Sequence, residues 1–246
     1  MKITLCALAS GLALAFAGTS AFAAPGSTGT TWQNGFNNDA AISQSYNSDA
    51  TAYIGQDGAL NVGKATQNHT KNSDIDTWQK GFNNYVNAVQ ERTTNAESKV
   101  VQLGDRNVVN TTQRDGYRQT ADVYQRGYNN TADVTQHNNW GADSKVVQEG
   151  WFNVATTDQS YGVDQNSDIY QKGINNDAKV TQRYNWDADA TIVQKGIGNV
   201  ATVDQKFGYS QEANIYQAGL LNKSTVSQTG SFLTATSTQQ GMMNHS

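Results

Sequence analysis

Residues 168–182 read DIYQKGINNDAKVTQ. The stretch contains two glutamines, two adjacent asparagines and one glycine, and almost no side chain suited to catalysis. Close variants recur every 23 residues over most of the sequence. Such a period predicts that stacked copies of one small unit build the fold, because one unit alone cannot bury its own apolar face.

Four positions of the unit are invariant in nine consecutive copies, which follow Q-x-G-x-x-N-x5-Q. The first glutamines are Gln33, Gln56, Gln79, Gln102, Gln125, Gln148, Gln171, Gln194 and Gln217. The glycines are Gly35, Gly58, Gly81, Gly104, Gly127, Gly150, Gly173, Gly196 and Gly219. The asparagines are Asn38, Asn61, Asn84, Asn107, Asn130, Asn153, Asn176, Asn199 and Asn222. The second glutamines are Gln44, Gln67, Gln90, Gln113, Gln136, Gln159, Gln182, Gln205 and Gln228. A tenth fragment, one residue out of phase, contains Gln239, Gly241 and Asn244.

Every second residue before the first glutamine and after the asparagine has a compact side chain. Two residues before the first glutamine the side chain is mostly β-branched, as in Ile54, Val100 and Ile169, and two residues after the asparagine it is small or aliphatic. The positions between them vary and carry charge. Period two is typical of half-buried strands. Each unit therefore predicts strand, turn, strand, turn, with the invariant glycine in the first turn, where a positive φ is needed.

Two short strands are not stable alone, because their edges are unpaired. The sequence therefore predicts an all-β solenoid, or cross-β stack, of nine 23-residue strand-turn-strand units plus a partial tenth, with two facing, parallel, in-register sheets. A buried amide needs partners for its donors and its acceptor, and an identical residue one unit away supplies them. The invariant Gln and Asn residues are accordingly predicted to form inward ladders, the polymerisation core.

Outward positions show a second period, of two units. Charge alternates along Asp76, Lys99, Asp122, Lys145 and Asp168. Opposite charges on neighbouring strands favour stacking by about 0.2–1 kcal/mol per pair. Duplication of a 46-residue segment explains the alternation equally well, so both interpretations stay open.

The first residues predict a secretory signal peptide over residues 1–23. Lys2 supplies the positive end, an apolar run follows, and Ala21-Phe22-Ala23 matches a cleavage site. The only cysteine, Cys6, lies inside this segment, so the exported protein is predicted to contain no disulfide. No other segment is long and apolar enough to span a membrane. A short N-terminal segment (24–28), the nine repeats (29–228) and a partial terminal repeat (229–246) complete the predicted organisation.

Composition alone leaves disorder open as an alternative. Hydrophobic residues make up 37% of the sequence, and the mean hydropathy is -0.65. The formal net charge of only -4, the aromatic content of 9% and the single proline, Pro25, are less typical of a disordered chain. They favour order that arises from repetition.

The unit is similar to the curlin repeat, usually written as a serine followed by Q-x-G-x-x-N-x-A-x3-Q. The chain thus resembles curlin-family subunits of bacterial amyloid fibres over nine full copies. The resemblance implies a secreted homopolymer on the bacterial cell surface that serves biofilm matrix and adhesion, with a nucleator subunit, an outer-membrane export apparatus and surfaces or matrix components as partners. It also implies a fibre-forming rather than a nucleating subunit, because few basic residues follow Lys195.

This sequence departs from the family pattern in two respects. The leading serine is met only in some copies, and the family alanine is replaced at Gly63, Val86, Val109 and Ser224. The short segment before the first repeat also leaves open how the chain is recognised for export.

Catalysis, cofactors and nucleic acid are not expected. The three histidines, His69, His137 and His245, have no recurring carboxylate or nucleophile beside them and are predicted to be solvated turn residues without a metal. No phosphate-binding loop is present, and a net-acidic chain is a poor partner for nucleic acid.

A self-contained monomeric β-solenoid that binds ice or a surface polysaccharide through an outward face is the alternative function. The outward threonine column that such a face would use, with Thr112, Thr135 and Thr181, is interrupted by Val89, Asp158 and Asp204. Outward aromatic residues in the second turn suit either lateral fibre packing or adhesion, or ordinary turn packing: Tyr46, Tyr117, Trp140, Tyr161, Tyr184, Trp186 and Tyr209. No capping unit is evident in the sequence, which favours head-to-tail polymerisation through open edges.

Overall fold

The structure is a computed structural model that describes residues 26–246. The predicted signal peptide lies outside the described residues. The described part contains 19 strands and no helix. They are β1 (Thr28–Phe36), β2 (Asp39–Ser45), β3 (Thr51–Ala59), β4 (Val62–Asn68), β5 (Asp74–Phe82), β6 (Tyr85–Glu91), β7 (Glu97–Asp105), β8 (Val108–Arg114), β9 (Thr120–Tyr128), β10 (Thr131–His137), β11 (Asp143–Trp151), β12 (Val154–Ser160), β13 (Val163–Ile174), β14 (Asp177–Arg183), β15 (Trp186–Ile197), β16 (Val200–Lys206), β17 (Tyr209–Leu220), β18 (Lys223–Thr229) and β19 (Thr234–Met242).

The strands alternate between two parallel sheets. Odd-numbered strands form a ten-stranded sheet in sequence order, and even-numbered strands form a nine-stranded sheet. Each strand pairs with the equivalent strand of the next repeat, so that Gln148 is the partner of Gln171 and Ala155 that of Ala178. The predicted β-solenoid with in-register parallel sheets is therefore confirmed. One strand from each sheet, with its two corners, is called a coil below.

The first corner of each coil has two residues, and the second corner changes in length along the rod. In coil six, Phe152 and Asn153 join β11 to β12, and two residues also separate β12 from β13; in coils one to five the second corner has five residues. Phe152 has a φ of 57° and Tyr161 a φ of 54°, so each corner uses a left-handed residue. Equivalent residues repeat this conformation in other coils, which turns the chain sharply at the same place each time.

The core lies between the sheets and is narrow. From the first sheet, the residues two before the glutamine are buried, including Ile54, Val100 and Ile169; from the second sheet come Val109 and Ala155. The predicted period-two pattern of inward residues is thus confirmed. Hydroxyl groups inside the core pair with each other: Ser98 Oγ lies 2.7 Å from Thr111 Oγ1, and Thr157 Oγ1 lies 3.2 Å from Ser167 Oγ.

The invariant glycines occupy a different place from the one predicted. Gly150 has a positive φ, 121°, but it lies inside β11, one residue before its end, and Phe152 rather than the glycine makes the turn. The predicted positive φ is therefore confirmed, and the predicted location in the turn was wrong. Glycine is required because the backbones of successive coils approach so closely that a Cβ at Gly150 would lie 2.0 Å from the carbonyl oxygen of Gly173.

Candidate functional site

The first glutamines form a continuous ladder along the ten-stranded sheet. From Gln33 to Gln239, each Nε2 donates to Oε1 of the next glutamine at 2.7–2.9 Å. From Gln56 onward, each Nε2 also donates to the first carbonyl of the second-sheet strand in the preceding coil, at 2.8–3.1 Å. The ladder thus joins coils along the axis and also joins the two sheets.

The second glutamines form a parallel ladder on the nine-stranded sheet. From Gln44 to Gln228, each Nε2 donates to the next Oε1 at 2.7–2.9 Å. Gln136 illustrates the full set of contacts: its Nε2 also reaches the carbonyls of Thr120 at 2.8 Å and Ala142 at 2.9 Å, and its Oε1 accepts from Gln113. These contacts tie the strand to the second corner.

The asparagines form a third ladder whose hydrogen bonds run the opposite way. Each Nδ2 donates to Oδ1 of the preceding asparagine at 2.9–3.1 Å, from Asn61 back to Asn38 and onward to Asn244. The backbone N–H of the same residue donates to that Oδ1 as well, at 3.0–3.2 Å. From Asn38 to Asn222, each Nδ2 also donates to the carbonyl of the glycine in the next coil, as Asn130 does with Gly150 at 2.8 Å. The asparagines therefore hold the first corner and the close glycine contact together.

The ladder residues are buried along almost their whole length. From Gln56 to Asn222 all of them are buried. Gln44, Gln228 and Gln239 are also buried, with no more than 6% of each residue exposed. Gln33 and Asn38, in the first described coil, are half-buried. The structure thus places every predicted ladder residue on the inward side.

The two ends of the glutamine ladders carry complementary groups. Within residues 26–246, no side chain or backbone group donates to Oε1 of Gln33 or Gln44. Gln228 is the last member of the second ladder, and its Nε2 donates to the carbonyl of Glu212 at 2.9 Å rather than to another glutamine. Acceptors therefore face outward at one end of the rod, and a donor does so at the other.

The sequence reasoning missed a paired alternation in the second corner. Gly162 precedes Gln165, whose buried side chain fills the space a Cβ at Gly162 would occupy, 2.3 Å away. In the next coil, Asn185 and Ala188 occupy the same two positions, and the buried Asn185 donates to the carbonyl of Gln205 at 2.7 Å. Gly116 with Gln119 and Gly208 with Gln211 repeat the first combination; Asn139 with Ala142 repeats the second. The sequence does contain this alternation, since glutamine recurs every 46 residues at Gln119, Gln165 and Gln211.

The amides of this second-corner column are less well satisfied than those of the ladders. Among the described residues, neither amide atom of buried Gln119 or Gln165 has a hydrogen-bond partner. Their side chains are therefore held by packing against glycine. This distinguishes them from the internal ladder glutamines such as Gln136, whose Nε2 and Oε1 both form hydrogen bonds.

Aromatic residues line a long groove at the second corner, with a volume of about 1120 Å³. Tyr161 stacks on Tyr184 at 5.0 Å between ring centroids, and Tyr184 stacks on Phe207 at 5.2 Å. A second column contains Trp186 and Tyr209, 6.4 Å apart. Between the two columns in sequence lie the small or amide residues Gly162, Asn185 and Gly208, which also line the groove.

The alternating charges lie next to each other, as the stacking prediction requires. Asp122 is the strand partner of both Lys99 and Lys145, and Lys145 is the partner of Asp168. Burial raises the pKa of the Asp168 carboxyl, and Lys145 opposes that rise. The closest ion pairs of the described residues lie in other columns, such as Arg92 with Asp115, where the hydrogen bond from Arg92 lowers the pKa of the Asp115 carboxyl.

No protein-family model and no curated protein matches the sequence.

The described residues offer little for metal binding. No group of three or more His, Cys, Asp or Glu side chains in residues 26–246 is placed to hold an ion. At the surface, His137 Nε2 lies 3.4 Å from Asp115 Oδ2. The ring of His69 stacks on that of Tyr46, with 4.7 Å between the ring centroids. Within the same residues there is no helix of the length and apolar character needed to cross a bilayer.

Proposed function

We propose that this chain is a secreted structural subunit that polymerises head to tail into extracellular amyloid fibres of the curli type. Such fibres would lie on the bacterial cell surface and serve biofilm matrix and surface adhesion. The proposed partners are further copies of the chain, a nucleator subunit, an outer-membrane export apparatus and surfaces or matrix components.

The observation that carries the proposal is the complementarity of the ladder ends. Among residues 26–246, Oε1 of Gln33 and of Gln44 accepts no hydrogen bond at the first coil, and Nε2 of Gln228 donates to no glutamine at the ninth. A second copy in the same orientation would join donor to acceptor, whereas a reversed copy would place like groups together. Repetition of identical amide contacts along an axis is also the arrangement that stabilises cross-β fibres.

The test is fibre growth by variants of the first coil. We expect the double variant Gln33→Ala, Gln44→Ala to elongate seeded fibres more slowly by roughly tenfold or more, because two ladder contacts of about 1 kcal/mol each are lost at every junction. Lys172→Ala, an outward change in the middle of the rod, is the control and should grow as the unaltered chain does. Equal rates for the two variants would contradict the proposal.

The aromatic groove favours a second candidate function, the binding of a surface polysaccharide by a single rod. Exposed Tyr184, Trp186 and Phe207 offer flat apolar faces along the axis, with the amide of Asn185 between them in sequence. Under this function, Trp186→Ala and Tyr184→Ala would each weaken binding to immobilised polysaccharide by the unpolymerised chain. Phe36→Ala, which removes an exposed aromatic ring at the other corner, is the matched control. The broken threonine column gives ice binding no such support, since Asp158 is the strand partner of both Thr135 and Thr181.

A further inference from the structure

Residues 231–246 depart from the repeat that precedes them. Gln239 follows Gln217 by 22 residues, whereas the earlier first glutamines are spaced by 23. The inward positions of β19 are only partly buried at Ala235 and Ser237, and Phe232, Met242 and Met243 are exposed. The inward side chains of this segment are therefore covered less completely than those of an internal coil.

The segment nevertheless covers the outer edge of coil nine. β19 pairs with β17, and Gln239 continues the first ladder from Gln217 at 2.8 Å. Beyond β19, the N–H of Thr225 donates to the carbonyl of Ser246 at 3.0 Å, and His245 forms a bridge to Lys223. Residues 231–246 thus occupy the place where a following coil would lie.

The contacts made there are poorer than those between regular coils. Tyr216 faces Thr238 and Ile215 faces Ser237, whereas one coil earlier their partners are Val193 and Ile192. Lys223 faces His245, which offers no negative charge. Gln228 Oε1 accepts from Gln205, but Gln228 Nε2 finds no glutamine acceptor within the described residues.

Coil one carries the side chains that these positions lack. In the shared register, Trp32 lies in the column of Tyr216, and Asp39 lies in the column of Lys223. The same register places Gln44 in the column of Gln228 and leaves its Oε1 as a free acceptor among residues 26–246. Coil one of a second copy would therefore form an aromatic contact, an ion pair and a ladder contact that residues 231–246 do not supply.

We propose that residues 231–246 are a displaceable cap that mimics a tenth coil and that coil one of a second copy replaces it during assembly. The sequence of β19 supports this substitution. TGTTWQNGF in β1 and TATSTQQGM in β19 share threonines at the first and third positions, the ladder glutamine and the glycine. The cap thus keeps the same edge covered in the free chain, using weaker contacts than the incoming copy offers.

This inference rests on the proposed polymerisation, and disulfide staples separate the two. Ala218, Gln240 and Asn34 share one outward column, in which the side chains of Asn34 and Asp57 already meet at 3.0 Å. Adjacent strands lie about 4.8 Å apart, which suits a disulfide. The experiments use residues 24–246, which contain no cysteine.

The first staple, Ala218→Cys with Gln240→Cys, fixes the cap on coil nine. We expect it to slow seeded growth at least about tenfold when oxidised, because only uncapped chains can accept coil one, and to restore the rate on reduction. Lys172→Cys with Lys195→Cys, strand partners in the same column within the rod, is the matched control and should have no effect. Equal growth of the capped chain in both redox states would overturn the inference.

A second pair tests what coil nine contacts inside the fibre. Ala218→Cys with Asn34→Cys should give disulfide-linked chains if coil one has replaced the cap. Gln240→Cys with Asn34→Cys should link chains only if coil one stacks on an intact cap, and predominance of this product would overturn the inference.

Shortening the chain to residues 24–230 removes the cap and should therefore shorten the lag before fibre growth. If no variant forms fibres in any redox state, the proposed function itself is wrong. If fibres form with coil one stacked on an intact cap, the proposed function stands and only the displacement of the cap is wrong.

Discussion

Gly150 lies against Gly173 of the next coil so closely that no side chain fits between their backbones. A Cβ on Gly150 would meet the Gly173 carbonyl at 2.0 Å, and its φ of 121° is one that L-residues rarely adopt. We therefore expect Gly150→Ala to lower the free energy of unfolding by at least about 3 kcal/mol. Guanidinium unfolding followed by circular dichroism, on dilute unpolymerised chain, measures this loss.

Gly198→Asn is the matched control for this change. Gly198 has a φ of 66°, and the equivalent residue of the preceding coil, Asn175, adopts a φ of 57°. The nearest atom to a new Cβ is the flexible Leu221 Cδ2. We expect a change of no more than about 1 kcal/mol, because asparagine tolerates the left-handed region. Equal effects of the two substitutions would show that close backbone approach does not explain the invariant glycines.

A ladder residue in the middle of the rod should matter more than an outward neighbour. Gln136→Ala removes the donor to the buried Gln159 Oε1 and one of the three acceptors of Gln113 Nε2, and it leaves a cavity between these two side chains. Since an unpaired buried acceptor costs about 1–3 kcal/mol and the cavity adds to this loss, we expect the unfolding free energy to fall by roughly 2–5 kcal/mol. Thr135→Ala, on the outward side of the same strand, should change it by less than about 0.5 kcal/mol. A similar loss in both variants would argue against ladder bonding as the source of stability.

The sequence predicted the coil because its repeat determines both the strand register and which side chains point into the core. Identical residues at 23-residue spacing permit only one alignment that pairs Gln148 with Gln171, and period two then places Val146 inside. The role of Gly150 was not predictable in the same way. Glycine is favoured both in turns and where backbones approach closely, and only the three-dimensional structure distinguishes the close contact of Gly150 from the turn at Phe152.

The candidate site was predicted in part for the same reason. Amide ladders follow from invariant residues, but the direction of their hydrogen bonds depends on side-chain orientation, which a repeat pattern does not specify. The exchange between Gly162 with Gln165 and Asn185 with Ala188 was missed because each position taken alone looks variable. It becomes visible only when the two positions are compared, since their side chains share one space.

Acidification should stabilise the rod through two partly buried carboxyls. Burial raises the pKa of Asp168 and of Asp177 above the values they have in the unfolded chain. The folded state then holds protons that the unfolded state has released, so stability rises as pH falls from about 7 toward about 4.5. We expect the urea midpoint to increase over this range, and the double variant Asp168→Asn, Asp177→Asn to reduce the increase.

Asp115 has the opposite effect on stability when the pH is lowered. The hydrogen bond from Arg92 lowers the pKa of Asp115, so its contribution is present above the unfolded pKa and is lost as pH falls through the lower, folded value. The pair is exposed, and its effect should be small. Asp115→Asn should therefore leave the stabilisation between about pH 7 and about 4.5 largely unchanged. A midpoint that falls over this range in the unaltered chain would contradict the assignment to Asp168 and Asp177.

The second-corner exchange predicts a strong coupling between Gly162 and Gln165. Gly162→Asn alone forces a side chain into the space that Gln165 fills, and Gln165→Ala alone leaves that space empty. We expect each single variant to lose about 1–3 kcal/mol of unfolding free energy, through overpacking in the first case and a cavity in the second. The double variant recreates the combination of Asn185 with Ala188 and should lose less than the two single variants together, although a Cβ at position 162 would still lie 2.7 Å from the carbonyl oxygen of Asn185 and require a small backbone shift. A double-mutant cycle from guanidinium unfolding measures the coupling, and simple additivity of the two losses would refute the shared-space account.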